Sequence, residues 1–148
     1  MAQVESTTHR EIAAEPEAVR SALADYGGTR PKLLPGHFSE YEVREGGKGA
    51  GTVVHWKIQA TSKRVRDCLV DVSDSAGGEL VESDRNSTMV TTWQVGPGAS
   101  DGTTRVTVKT TWKGAGGVAG FFERTFAPKG MARIYDEMLA KLASETEK

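Results

Sequence analysis

Residues 116–142, GGVAGFFERTFAPKGMARIYDEMLAKL, decide the fold, because their apolar residues recur with helical spacing. The resulting stripe comprises Phe122, Phe126, Met131, Ile134, Tyr135, Met138 and Leu142. Side chains three and four positions apart share one face of a helix, so we predict a long amphipathic helix from about Val118 to Glu145. Pro128 removes one backbone donor inside it, and we expect a kink or a break there.

Most of the residues before this helix are predicted to form strands, because turn residues divide them into short segments. We predict a first strand over residues 3–12 and a short helical region over 14–28, with Pro16 in its first turn and the Gly27-Gly28 pair at its end. Six further strands are predicted over 37–45, 52–60, 63–73, 79–83, 88–95 and 103–112. Hairpin-linked strands form an antiparallel sheet, and the long helix has only that sheet against which to bury its stripe. The expected fold class is therefore α+β, in a single domain over residues 1–148.

Composition excludes several classes of protein. The formal net charge of −1 gives no overall attraction to nucleic acid or to an anionic membrane. No apolar run approaches the roughly 18–20 residues of a membrane span, so we expect no stable membrane insertion. Cys68 is the single cysteine, which rules out an internal disulfide. The N-terminus lacks the apolar stretch of a signal peptide, and a cytoplasmic location is expected. The sequence leaves the oligomeric state open.

A glycine motif tests the possibility of a nucleotide cofactor. GAGGVA (114–119) fits the G-x-G-x-x-G/A fingerprint of dinucleotide-binding loops. That fingerprint needs a strand–helix–strand unit, whereas here the helix continues to the last residues and no strand follows it. We therefore expect no cofactor and interpret Gly114–Gly120 as a hinge into the helix. The similar GGKGAG (46–51) joins strand to strand and is interpreted as a hairpin turn.

Three stretches resemble the START-like superfamily, whose polyketide cyclase/dehydrase-like and lipid-transfer members share the helix-grip fold. They are IAAEPEAVRSALADY (12–26), LLPGHFSEYEVREGGKGAGTVVHW (33–56) and the helix of 116–142, which resembles the actinobacterial members. Arg20 departs from the pattern, since an aromatic residue is often found at its position. The resemblance implies a curved seven-stranded sheet that grips the C-terminal helix. It also implies an elongated apolar cavity between them, with its mouth near the Pro-bearing loop.

Three considerations predict which residues face this cavity: alternation along the strands, helical spacing along the last helix, and position in the Pro-bearing loop at the mouth. They are Leu33, Leu34, His37, Tyr41, Trp56, Trp93, Phe122, Met131 and Tyr135. Aromatic walls with a few polar groups are typical of small-molecule pockets. Plain core packing remains the alternative for each of them, and for Trp56 and Trp93 in particular.

Few residues suggest catalysis or metal binding. The three histidines, His9, His37 and His55, lack metal-ligand spacing, so no metal site is expected. His9 and His55 are expected to be exposed, while His37 is a candidate general acid or base. Cys68 is interpreted as a buried, inert thiol. The basic run KRVRD (63–67) is either a solvated strand face or, if Arg64 and Arg66 point inward, a site for a ligand carboxylate or phosphate.

Three classes of function therefore stay open. The leading hypothesis is a protein that binds a hydrophobic or amphipathic small molecule, such as a lipid or a polyketide-like compound. The alternatives are a polyketide cyclase/dehydratase-type enzyme and a protein-interaction module. Polar side chains converging inside the cavity would favour the enzyme, and an exposed apolar patch over a filled cavity would favour the interaction module.

Overall fold

A computed structural model describes residues 3–61, 64–113 and 117–147; the side chains of residues 60, 61, 64 and 117–127 lie outside that description. The strands are β1 (Gln3–Ile12), β2 (Phe38–Glu45), β3 (Val53–Thr61), β4 (Arg64–Asp74), β5 (Leu80–Asp84), β6 (Val90–Pro97) and β7 (Thr104–Lys113). The helices are α1 (Pro16–Ala24), α2 (Arg30–Leu33) and α3 (Gly117–Thr146). No helix within these ranges is long and apolar enough to cross a membrane.

The seven strands form one antiparallel sheet in the order β1-β7-β6-β5-β4-β3-β2. β1 pairs with β7 from Gln3↔Lys113 to Ile12↔Thr104, so the first and last strands lie side by side. β1 and β2 consequently occupy opposite edges of the sheet, and α1 and α2 carry the chain from one edge to the other. The predicted α+β class, with a long helix packed on a seven-stranded sheet, is confirmed.

The core lies between α3 and one face of the sheet. Along α3, Met131, Ile134, Tyr135, Met138 and Leu142 are buried with the predicted helical spacing. The stripe residues Phe122 and Phe126 have side chains outside the described part. The predicted parity is confirmed on three strands by the buried residues Val54, Trp56, Ile58, Met89, Thr91, Trp93, Val106, Val108 and Trp112.

α3 continues through Pro128, so the alternative of a break at that residue is wrong. A proline inside a helix costs about 3 kcal/mol or more. Burying a large apolar side chain contributes roughly 1.5–3 kcal/mol, and α3 buries several beyond Pro128. The Ser6 hydroxyl also donates to the Pro128 carbonyl at 3.0 Å, which ties this turn of the helix to β1.

β2 departs from simple alternation because it contains a bulge. Its register with β3 shifts between Ser39 and Glu42, and Glu40 has a positive φ of 52°. One extra residue moves every later side chain to the other face. Phe38 therefore packs against the core and Ser39 is exposed, whereas unbroken alternation would place Ser39 on the inner face with Tyr41. His37 lies in the turn before the strand.

GGKGAG (46–51) forms the β2–β3 hairpin connection, as predicted, with positive φ at Gly46 and Gly49. This turn is fixed to the end of α1, because the Gly49 amide donates to the Ala24 carbonyl at 2.9 Å. Of the motif GAGGVA, residues 114–116 and the hinge interpretation placed on them lie outside the described residues. Each described strand pair is antiparallel, whereas a dinucleotide-binding fold is built on parallel strands.

Candidate functional site

An aromatic wall covers the part of the concave face that β2 and β3 form. The Trp56 ring stacks on Tyr41 with a centroid distance of 6.2 Å and an interplanar angle of 4°. Phe38 meets the same indole edge-on at 6.0 Å. The bulge in β2 produces this arrangement, because it brings both Phe38 and Tyr41 to the inner face. A wall of this kind offers flat apolar surface to a ring or an acyl chain.

A buried charged cluster centred on Glu82 lies further along the concave face. Glu82 of β5 forms a 2.8 Å ion pair with Arg30 of α2, and both side chains are 2% exposed. The Tyr26 hydroxyl donates to the same carboxylate oxygen at 2.5 Å. The Trp93 indole N–H donates to the other oxygen at 3.0 Å. Charged residues are almost never fully buried unless they are paired, and here three donors satisfy one carboxylate.

Arg30 is enclosed by aromatic rings as well as by its counter-ion. Its guanidinium carbon lies 4.6 Å from the Tyr26 ring centre and 5.0 Å from that of Trp93. One terminal nitrogen donates to the Leu23 carbonyl at 3.0 Å. The Arg30 Nε atom is buried without a hydrogen-bond partner in the protein. Burial, the largest single effect, opposes the charge of Arg30, but the charge and hydrogen bond of Glu82 together with the oxygens of Tyr26 and Tyr41 outweigh it, so the pKa of the guanidinium is raised.

Hydroxyl groups on the concave face remain protonated. Burial, reinforced by the Glu82 charge, raises the pKa of Tyr26 far above its usual value. Burial likewise raises the pKa of Tyr135 to about 12 and that of Tyr41 to about 12. The Tyr41 hydroxyl donates to the Tyr26 carbonyl at 2.6 Å. These phenols act as hydrogen-bond donors near neutral pH and are unsuited to abstracting a proton.

A second polar group sits under α3. The Thr91 hydroxyl lies 2.8 Å from the hydroxyl of Thr110 and 3.1 Å from that of Tyr135. The Tyr135 ring packs edge-on against Trp93 at 5.6 Å. Helix α3 is thus linked to β6 and β7 by polar contacts at the centre of an otherwise apolar interface.

The predicted ligand-binding residues differ in how deeply they are buried. Buried on the concave side are Trp56, Trp93, Met131, Tyr135 and Leu33, while Tyr41 and Leu34 are half-buried against the core. The structure brings Trp56 together with Tyr41, and Trp93 with Tyr135. His37 is half-buried in its turn, and its Nδ1 atom is buried without a hydrogen-bond partner. The Phe122 side chain is outside the described residues.

The orientation of β4 bears on the two interpretations of the basic run. Cys68, Val70 and Val72 are buried on one face, and Arg66 has the same parity. Arg66 is also the register partner of Ile58, which is buried. Arg66 therefore lies on the concave side of the sheet, and the Arg64 side chain is not described. The prediction of a buried Cys68 is confirmed, and burial raises the pKa of its thiol to about 12.

His55 differs from expectation on the outer face of the sheet. Its side chain is 12% exposed, with Nδ1 2.9 Å from the Glu40 carbonyl and Nε2 2.7 Å from Asp67 Oδ1. The expectation of a freely exposed side chain is wrong, because the β2 bulge at Glu40 and the Asp67 side chain both contact the imidazole. His9 is exposed, as predicted. Within the described ranges, no three His, Cys, Asp or Glu side chains group so as to hold a metal ion.

The Arg30–Glu82 pair was not foreseen from the sequence. The alternation of β5 could have indicated where Glu82 lies. Leu80, Glu82 and Asp84 share one face of the strand, and Leu80 packs on the core. A glutamate in register with an inward leucine indicates a buried carboxylate that needs a partner. Nothing in the sequence identifies Arg30 as that partner, because α2 is a single turn between two loops.

Comparisons with known proteins agree with this architecture. The family described as "Polyketide cyclase / dehydrase and lipid transport" matches residues 1–147. The solution structure of the KanY protein is 50% identical, with a TM-score of 0.88 and full coverage of both chains.

More distant solved structures share the fold. The ZhuI aromatase/cyclase from Streptomyces sp. R1128 is 15% identical, with a TM-score of 0.77 and coverage of 99% of this chain and 94% of that one. The major latex-like protein 151 of Panax ginseng is 10% identical, with a TM-score of 0.72 and 97% coverage of both. No curated protein matches the chain significantly.

Proposed function

The chain belongs to the polyketide cyclase/dehydrase and lipid transport family, and on that premise we propose that it binds a hydrophobic or amphipathic small molecule between α3 and the concave face of the sheet. Members of this family bind hydrophobic ligands or act as polyketide cyclases. The observation that carries the proposal is the aromatic wall of Phe38, Tyr41 and Trp56, which stands on the same face of the sheet as the half-buried Arg66.

Two polar groups at the end of the sheet where β3 finishes suit a ligand with a polar end. Arg66 lies on the same face as the aromatic wall and provides a cation for a carboxylate, phosphate or enolate group. The buried Nδ1 atom of His37 lacks a protein partner, and a hydrogen-bonding group of the ligand would satisfy it. An apolar body with one acidic or enolic end is therefore the ligand class that this face fits best, which includes fatty acids and polyketide-like aromatics.

A cyclase-type enzyme is the second candidate, and His37 is the residue that favours it. An aldol cyclisation requires a base, and the alternatives on the concave face are poor. Glu82 is already held by three donors, and the tyrosines remain protonated near neutral pH. The imidazole of His37, with one ring nitrogen unpartnered, is the group that could exchange a proton with a substrate.

A protein-interaction module has the least support. Such a module should present an exposed apolar patch. Within the described part of the chain, Val65 is the one large hydrophobic side chain that is strongly exposed, at 56%. A single exposed valine does not form a patch.

The proposal is tested by titrating the purified protein with oleate and with emodin, a tricyclic aromatic polyketide, and following tryptophan fluorescence. We expect saturable quenching by at least one of them, and native mass spectrometry should show a one-to-one complex. Trp56→Leu should weaken binding about tenfold or more, while Val65→Ala, at the exposed valine of β4, should leave the affinity within about threefold.

Preference between the two probes assigns the ligand class, and loss of emodin binding in His37→Gln without loss of oleate binding would point to the enzymatic alternative. The absence of saturable binding for both ligands, in a protein shown by circular dichroism to be folded, would contradict the proposal.

A further inference from the structure

A cavity opens at the C-terminal end of α1. It encloses about 220 Å³ and is lined mainly by the apolar side chains of Leu23, Leu80, Trp93 and Val95. Arg20 and Asp74 are the charged residues of its lining. The lining is thus mostly apolar, with one positively and one negatively charged side chain.

Strand connectivity places this cavity at the opposite end of the sheet from His37. Its lining includes Gly49 of the β2–β3 turn and Gly78 of the β4–β5 turn. In an antiparallel sheet alternate turns lie at the same end, so these two turns share an end. His37 precedes the first residue of β2 and therefore lies at the other end. The cavity is thus a separate opening from the mouth expected near the Pro-bearing loop.

The cavity walls are fixed in position by hydrogen bonds. The Gly49 amide donates to the Ala24 carbonyl at 2.9 Å, which attaches the β2–β3 turn to α1. Arg20 of α1 donates to the Val95 carbonyl of β6 at 3.0 Å, which attaches the helix to the sheet across the cavity. A cavity whose walls are held in this way is preorganised for a ligand and does not have to be opened at an energetic cost.

Trp93 forms the inner wall and separates this cavity from the buried charges. Its indole N–H is held by Glu82, and the guanidinium of Arg30 lies 5.0 Å from its ring centre. The indole is therefore fixed in orientation. A ligand in the cavity would contact an aromatic surface that is itself polarised by the cation of Arg30.

We propose that this cavity is a binding site for a compact ring compound that carries a hydroxyl or ketone group at its opening. An engineered apolar cavity of about 150 Å³ binds benzene, so 220 Å³ accommodates a substituted single ring or two fused rings. Arg20 is 46% exposed and engages Glu17 and Val95 with two of its five N–H groups. It can donate to a ligand oxygen, while Asp74 can accept from a ligand hydroxyl. The opposite charges favour a neutral polar group over a free carboxylate.

The test uses two-dimensional NMR of the full chain with 2-naphthol as the probe and 2-naphthoate as its charged counterpart. We expect 2-naphthol to shift the indole N–H resonance of Trp93 saturably, and 2-naphthoate to bind more weakly. Leu80→Phe should fill the cavity and weaken 2-naphthol binding about tenfold or more. Val81→Phe is the matched control, because it makes a similar change at the next residue of β5, on the opposite face, and should leave the affinity within about twofold.

Two further measurements separate this site from the one under α3. Arg20→Gln should weaken 2-naphthol about threefold to tenfold. Saturating 2-naphthol should not displace oleate or emodin, and Trp56→Leu should leave the naphthol shift unchanged. If Leu80→Phe proves unfolded by circular dichroism, Val95→Phe fills the same cavity from β6 and replaces it. The proposal is overturned if the Trp93 indole resonance shows no saturable shift, or if Leu80→Phe and Val81→Phe bind 2-naphthol with the same affinity. Competition between 2-naphthol and oleate or emodin would also overturn it.

Discussion

Arg30 and Glu82 form a 2.8 Å ion pair that is almost completely shielded from water, and it joins the single turn of α2 to the short central strand β5. Glu82 is the shared acceptor for Arg30, Tyr26 and Trp93, so one carboxylate holds together the segment after α1, helix α2 and β6. The stretch that crosses the concave face between the two sheet edges is thereby anchored at its middle. We therefore expect the stability of the fold and the mobility of this segment to depend on the pair.

Removing either partner of the pair should destabilise the protein strongly. Glu82→Gln or Arg30→Met leaves a buried polar or charged group without its partner, and we expect a loss of about 3–5 kcal/mol in the free energy of unfolding. The double variant should cost less than the sum of the two single changes, because no unpaired charge remains. Urea unfolding measures all three.

The exposed pair Arg85–Asp71 provides the control for that experiment. It is bidentate, at 2.8 and 2.6 Å, but its side chains are about half exposed. Arg85→Ala should shift the urea midpoint little, because water screens exposed charges. Equal losses from the buried and the exposed variants would contradict a special role for burial.

The tyrosines should resist ionisation in the native state. All three of the chain, Tyr26, Tyr41 and Tyr135, have raised pKa values, chiefly through burial. A spectrophotometric titration should therefore show no tyrosinate absorbance at pH values near 10, where tyrosine in denaturant ionises. Absorbance that rises with a midpoint near 10 in the folded protein would show that at least one phenol is solvated.

Stability should decline over the same alkaline range. Below about pH 10 the phenols are protonated in both states and their full contribution is present. Above it the unfolded chain releases protons that the folded chain retains until about pH 12 at Tyr135, so the free energy of unfolding falls between these values. For Tyr135 alone the loss amounts to about 2–3 kcal/mol. Tyr135→Phe should flatten this decline in urea unfolding measured from pH 9 to 12.

Sequence periodicity predicted those parts of the fold that strict alternation governs. Met89, Thr91 and Trp93 could be assigned to the inner face because residues 89–93 alternate without a bulge. The same reasoning failed in β2, since period-two parity cannot detect the extra residue at Glu40, and it therefore missed Phe38. The Arg30–Glu82 pair lay beyond the sequence because it depends on how far α2 reaches across the concave face, which no local pattern specifies.

Cys68 should react with thiol reagents only when the protein unfolds. Its side chain is buried, and the raised pKa of about 12 leaves almost no thiolate at neutral pH. We expect the reaction with a chromogenic disulfide to be slow in buffer and fast in urea, with rates that follow the unfolding variants above. Rapid stoichiometric labelling of the native protein would indicate that β4 is accessible from the interior.

The loop over the interior should divide into a fixed part and a mobile part. Residues 27–38 lead into β2 and carry Leu33 and Leu34, which we predicted to face the cavity at its mouth. Leu33 is buried beside the anchored Arg30, whereas Leu34 is half-buried and the chain turns at 36–37. Hydrogen exchange should therefore be slow at the Arg30 and Lys32 amides, which donate to Asp25 and Thr29 carbonyls. It should be fast at 36–37 and slow on adding oleate or emodin.

Glu82→Gln extends this prediction to the anchor itself. If the ion pair is what fixes α2, the variant should raise exchange at Arg30 and Lys32 toward that at 36–37, with central strand amides changed only as far as the global loss of stability requires. Ligand affinity should fall as well, because a loosened α2 must be ordered again on binding. Arg85→Ala should alter neither quantity. Unchanged protection of α2 in Glu82→Gln would show that Leu33 burial alone holds the segment, and the mouth would then be a static cap.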